Sequence, residues 1–149
     1  MANKINILLV EDSRSAIELA QHAFTLNDYS GNLAVARDGE EALDLILNRN
    51  GSSDDQTAAP DLILLDLKMP KVGGLEVLEQ IRANEHLRST LVVVLTASAD
   101  RHDVKQAYDL GANSYLVKPV DFDEFVAMIG QVIDYWCKLN QQPAVSAMA

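Results

Sequence analysis

Strand-like and helix-like segments alternate five times along this chain, and that alternation leaves very few folds open to it. Residues 5–10 form an apolar run of the kind that a strand buried on both faces shows. Residues 14–27 follow with Ile17, Ala20 and Phe24 at helical spacing, and Ser13 in the N-cap position. A short strand is predicted at 33–36 and a helix at 40–48, with Ala42, Leu43, Ile46 and Leu47 on one stripe. Residues 62–65 read as another buried strand and 75–83 as a helix. The most apolar strand is 91–95; a short helix at 103–110 then stops at Gly111, the glycine favoured just past a helix end. Residues 115–117 form the last strand, and 122–139 the last helix.

Strands separated by helices of this length make βαβ units and a parallel sheet. Right-handed crossovers put helices on both faces. The expected architecture is therefore an α/β, doubly wound, flavodoxin-like sandwich of five βα units, with strand order 2-1-3-4-5. There is no internal repeat. One domain spans 1–140, residues 50–60 form a long surface loop, and 141–149 form a disordered tail. No apolar run approaches a membrane span, and the first residues lack a secretory leader. Cys137 is the sole cysteine, which excludes an internal disulfide and fits a reducing, cytoplasmic setting. The net charge of -10 argues against a nucleic-acid or anionic-membrane partner.

In open parallel sheets, sites form at the carboxyl ends of the strands, near the point where strand order reverses. Glu11 and Asp12 follow the first strand, Asp66 the third, Thr96 the fourth and Lys118 the fifth. In the proposed order these five residues share one rim. A single acid at a strand end is most often a cap for the next helix. Three acids on adjacent strand ends, joined by one lysine and one threonine, are poorly explained as caps. Clustered carboxylates repel unless a cation joins them. Mg²⁺ suits such a set, because it takes one or two carboxylates, keeps several waters and binds phosphate oxygens; Mn²⁺ is a substitute. A phosphoryl group arriving on Asp66 brings about two negative charges, which a divalent cation and the Lys118 ammonium neutralise. The Thr96 hydroxyl donates to a phosphoryl oxygen. Lys118 lies between an apolar run and Pro119, which favours a fixed inward position; a cis Lys118–Pro119 bond is an open possibility at such a step.

Five stretches together resemble the bacterial response-regulator receiver domains, the chemotaxis-regulator-like family. They are Ile-Leu-Leu-Val-Glu-Asp-Ser at 7–13, Leu-Ile-Leu-Leu-Asp-Leu-Lys-Met-Pro at 62–70 with Gly73-Gly74-Leu75, Val-Val-Val-Leu-Thr-Ala at 92–97, Gly111-Ala112, and Tyr115-Leu116-Val117-Lys118-Pro119. The resemblance covers about residues 4–139. It implies that Asp66 is the phosphoacceptor and that Glu11 and Asp12 hold the metal with Asp66. The backbone carbonyl of Lys68 completes the metal shell, and Thr96 and Lys118 contact the phosphoryl group. It further implies a switch in which Thr96 moves inward, Tyr115 follows, and the face of the fourth helix, fifth strand and fifth helix changes.

The last helix departs from the family pattern. Its periodicity (Phe122, Phe125, Val126, Ile129, Val132, Ile133, Trp136, Leu139) runs about five turns, or roughly 27 Å. A five- or six-residue strand covers about 17–20 Å, so the end carrying Tyr135, Trp136 and Leu139 should overhang the sheet. Met128 and Tyr135 add a second apolar stripe. Aromatic residues in such positions favour interfaces, and a homodimer through this region is expected, with Met128, Tyr135 and Trp136 in its surface. The competing reading packs the helix end onto its own domain. After the helix only a short tail remains, so the chain is expected to work as a stand-alone regulator that relays phosphate to a phosphotransfer protein or binds a target. The long loop and the aromatic helix end resemble single-domain regulators that partner phytochrome-type histidine kinases.

Other classes make different demands. A flavin-binding flavodoxin needs a phosphate loop after the first strand, where Glu11-Asp12 would repel the ligand. A metal-dependent phosphohydrolase using Asp66 as nucleophile would carry a second aspartate two residues on, where this chain has Lys68. A signalling domain rather than an enzyme is therefore expected. His22, His86 and His102 have no metal-ligand spacing and receive no role.

Overall fold

A computed structural model describes residues 5–47, 60–69 and 72–141. Its strands are β1 (Asn6–Val10), β2 (Asn32–Ala36), β3 (Leu62–Leu65), β4 (Leu91–Thr96) and β5 (Ser114–Val117). The helices are α1 (Arg14–Leu26), α2 (Gly39–Leu47), α3 (Gly74–Ala83), α4 (Arg101–Asp109) and α5 (Phe122–Val132). All strand pairs are parallel and the order is β2-β1-β3-β4-β5, as the alternation predicts. Most of the loop predicted at 50–60 and nearly all of the tail predicted at 141–149 lie outside the described residues.

Strand side chains alternate between two cores. Leu8, Val10, Ile63, Leu65, Val92 and Val94 pack with residues of α2, α3 and α4, among them Leu43, Ile46, Leu78, Ile81 and Ala107. On the opposite face, Ile7, Leu9, Leu62, Leu64, Val93 and Leu95 pack with Ala20, Phe24, Phe125, Ile129 and Val132 of α1 and α5. The order of the strands reverses beside β1, and α1 and α2 pack on opposite faces of the sheet. All four β3 residues are fully buried. At about 1.5–3 kcal/mol for each such side chain, β3 is a rigid base for whatever follows it.

Local chemistry sets the helix ends. The Ser13 hydroxyl accepts the Ala16 N–H at 3.3 Å, which confirms Ser13 as the α1 cap. Helix α4 starts at Arg101 rather than 103, since Asp100 accepts the His102 N–H at 2.7 Å and opens the helix earlier. Gly111 has φ +104, the left-handed conformation that a side chain resists. No peptide bond among the described residues is cis, so Lys118–Pro119 is trans, contrary to the option left open above.

The last helix differs most from expectation. Helix α5 passes into a π-helical segment, Ile133–Leu139. A π turn closes i to i+5 and so widens this last stretch of the helix. Trp136 and Cys137, three and four residues after Ile133, pack partly against the core, while Tyr135 and Leu139 are exposed. Met128 also packs partly against that core. The helix end is thus divided, with Trp136 turned partly to its own domain and Tyr135 and Leu139 turned away.

Candidate functional site

Backbone register brings the strand ends together. The Glu11 N–H donates to the Ala36 carbonyl, the Asp66 N–H to the Val10 carbonyl at 3.0 Å, and the Lys118 N–H to the Thr96 carbonyl at 2.8 Å. These bonds extend the ladders of β1, β3 and β5 by one step and fix the rim. Glu11, Asp66 and Thr96 are the only buried polar side chains among the described residues, and all three belong to this rim. Asp12 is exposed beside them.

Glu11, Asp12 and Asp66 each offer a carboxylate oxygen within 4.8 Å of the other two. Oxygens so close, in an anionic group of three, are a fitting ligand set for a hard divalent cation. The Lys118 ammonium enters the same cluster and donates to Glu11 Oε1 at 2.5 Å. The other Glu11 oxygen accepts the Ser13 N–H at 3.1 Å. Thr96 Oγ1 is buried with no hydrogen-bond partner among the described residues, which is costly for a hydroxyl. It is chemically matched to an incoming acceptor oxygen.

A glycine lets the next helix close over Asp66. A Cβ at Gly74 would fall 2.3 Å from the Asp66 carbonyl oxygen, so only glycine lets α3 begin against the Asp66 backbone. Lys68 donates its backbone N–H to Asp66 Oδ1 at 3.4 Å, which keeps its peptide beside the carboxylate.

Tyr115 is half-buried, packs against the α2–α4 core and donates its hydroxyl to the Ser98 carbonyl at 2.8 Å. Burial raises its pKa, so it stays a donor through neutral pH. The Ser98 hydroxyl donates to Asp103 Oδ2 at 2.6 Å, and the Lys68 ammonium lies 3.2 Å from that same oxygen. The Ser98 hydrogen bond, then Lys68, hold the Asp103 carboxyl below its usual range. The sequence reading did not single out Asp103, because an acid in the first turn of a helix has a routine role there. Only its neighbours across the rim distinguish it. Tyr135 and Trp136 stand far along the chain on the π-helical segment, edge to face at 4.9 Å.

A five-stranded parallel sheet with a carboxylate trio, a lysine and a buried threonine at its carboxyl rim defines a phosphate-handling signalling domain rather than a flavin carrier. The family described as the response regulator receiver domain matches residues 7–130, and the chain belongs to it. Among curated proteins, it is 39% identical over 137 residues to the probable methanogenesis regulatory protein FilR2 of Methanothrix harundinacea, covering 92% of this chain and 86% of that one. It is 36% identical over 138 residues to response regulator Rcp1 of Synechocystis sp., covering 93% and 92%. The Mn²⁺-bound structure of Rcp1 superposes with a TM-score of 0.83 at 34% identity, over 94% of this chain and 99% of that one. The phosphorylated cyanobacterial phytochrome response regulator RcpA superposes with a TM-score of 0.86 at 32% identity, over 95% and 100%. Nothing in these comparisons supports a phosphohydrolase. Receiver domains bind a divalent metal and take their signal from a histidine kinase. No helix among the described residues is long and apolar enough to cross a membrane.

Proposed function

We propose that Asp66 accepts a phosphoryl group from a phosphohistidine of a phytochrome-type histidine kinase and that the chain acts as a stand-alone regulator. The observation that carries this reading is the convergence of buried Asp66 with Glu11, Asp12, Lys118 and the unpartnered Thr96 hydroxyl. An Asp66 carboxylate oxygen attacks phosphorus; the O–P bond forms as the N–P bond of phosphohistidine breaks, and the imidazole leaves, taking a proton from solvent. The chain contributes mainly position and charge, which is most of what phosphoryl transfer requires. Glu11, Asp12, Asp66 and the Lys68 carbonyl would hold Mg²⁺, with Mn²⁺ as substitute; when bound, it supplies charge neutralisation between acceptor and phosphoryl oxygens.

Lys118 then turns from Glu11 to the phosphoryl group, and Thr96 donates its hydroxyl there. Its buried O–H gains the partner it lacks. Because Thr96 lies two residues before Ser98, its movement draws on the carbonyl that holds Tyr115. Tyr115 thereby relays the charge event to the face of α4, β5 and α5. That face serves a downstream target, a phosphotransfer protein or a second copy of the chain, through Met128, Tyr135 and Trp136. The work is done in the cytoplasm, by a single domain over 1–140. Apart from its own phosphorylation and dephosphorylation, the domain turns over no substrate.

The test is a phosphotransfer profile against the histidine kinases of the source organism. Rapid labelling from a phytochrome-type kinase, lost in Asp66→Asn, is the expected result. Labelling that persists in Asp66→Asn would overturn the assignment.

A further inference from the structure

Asp103 lies in the first turn of α4 and meets the segment after β3 through Lys68 and the turn after β4 through Ser98. Its Oδ2 accepts the Ser98 hydroxyl at 2.6 Å and lies 3.2 Å from the Lys68 ammonium. Ser98 is itself held twice more: its hydroxyl accepts the Asp100 N–H at 3.3 Å, and its carbonyl accepts the Tyr115 hydroxyl at 2.8 Å. Lys68 reaches the acceptor by another route, since its backbone N–H donates to Asp66 Oδ1. One residue next to the acceptor is therefore linked, through Asp103 and Ser98, to the hydroxyl of Tyr115.

The two ends of the ion pair are unequal. The Asp103 side chain is 13% exposed and fixed by Ser98, whereas the Lys68 side chain is 67% exposed on a long flexible stem. Lysine is the partner free to leave. An ion pair with one end so exposed is weak. A phosphoryl group on Asp66 would carry about two negative charges against one on Asp103, and Lys68 stands only two residues from it.

We propose that Asp103 is a positioning residue: it holds the Lys68 ammonium at the start of α4 until the acceptor is charged, and Lys68 then passes to the phosphoryl oxygens. Asp103 is left attached to Ser98 alone. The β3–α3 segment and α4 are uncoupled, and the anchor of Tyr115 loosens with them. This inference rests on the reading of Asp66 as acceptor and adds a competitor for the phosphoryl charge.

The test uses the full chain with beryllofluoride and Mg²⁺, a phosphoryl analogue whose binding is titrated by ¹⁹F NMR. Asp103→Asn keeps the shape and a hydrogen-bond acceptor for Ser98 but removes the competing charge. It should tighten beryllofluoride binding about threefold to fivefold. In a Lys68→Met background the same substitution should change affinity by less than about 1.5-fold, since the coupling needs both partners. In amide spectra of the unmodified chain, Asp103→Asn should move the Ser98 and Val104 signals toward their positions in the beryllofluoride-bound wild type. An unchanged affinity in Asp103→Asn, or an equal change in both backgrounds, would overturn the proposal and leave Asp103 a structural residue. If wild type did not bind, or Asp66→Asn bound equally well, the acceptor reading would fall first and this one with it.

Discussion

Thr96 holds a hydroxyl that is fully buried and without a partner among the described residues. A buried polar group left unpaired costs about 1–3 kcal/mol. Valine has nearly the same shape and removes the hydroxyl. Thr96→Val should therefore stabilise the unphosphorylated chain by about 1–2 kcal/mol in urea denaturation, while weakening beryllofluoride binding. Stability and signalling would then be opposed at one atom. A variant no more stable than wild type would show that the hydroxyl is already satisfied. The acids at the rim were legible in the sequence because each follows a strand-like run directly. Asp103 was not, because its meaning depends on Ser98 and Lys68, five and thirty-five positions away.

Helix α3 is tied to its surroundings by one side chain. Arg82 donates from Nε to the Gly111 carbonyl at 2.9 Å and from Nη1 to the Thr90 and Arg88 carbonyls at 2.8 and 3.1 Å. Its Nη2 donates to Asn113 Oδ1 at 2.9 Å. The turn before β4 and the turn before β5 are thus held from one guanidinium. Its acceptors in these bonds are neutral carbonyl oxygens, and burial lowers its pKa. A Cβ at Gly111 would meet Arg82 Nε at 2.9 Å, so that glycine serves close approach as well as its left-handed turn. Arg82→Met should cost about 2–4 kcal/mol in urea denaturation, through several carbonyls losing their donor together. Arg82→Lys should recover less than half, because an ammonium cannot reproduce the planar fork. A loss within about 0.5 kcal/mol would mean that water replaces these bonds freely. The sequence shows only a basic residue in the last turn of a helix; the fan of carbonyls is assembled by turns between other elements.

At the scale of the whole molecule, the open question is what meets the end of the last helix. Tyr135 is 50% and Leu139 71% exposed, whereas Trp136 packs partly on the domain's own core. The informative substitution is therefore Tyr135→Ser rather than a change at Trp136, which would disturb the core as well. Wild type should sediment as a dimer at micromolar concentration and Tyr135→Ser as a monomer with an unaltered melting temperature. A monomeric wild type would rule out dimerisation through this surface. The number of elements, their parallel order and the strand-end position of every rim residue follow from the sequence alone, because hydrophobic period and crossover handedness are properties of the chain itself. The π winding after Ile133 and the contact from Lys68 to Asp103 were decided only by tertiary structure. Each depends on packing or charge between elements that local pattern does not relate, so the fold and the strand-end cluster around Asp66 could be read in advance, while the contacts leading away from that cluster could not.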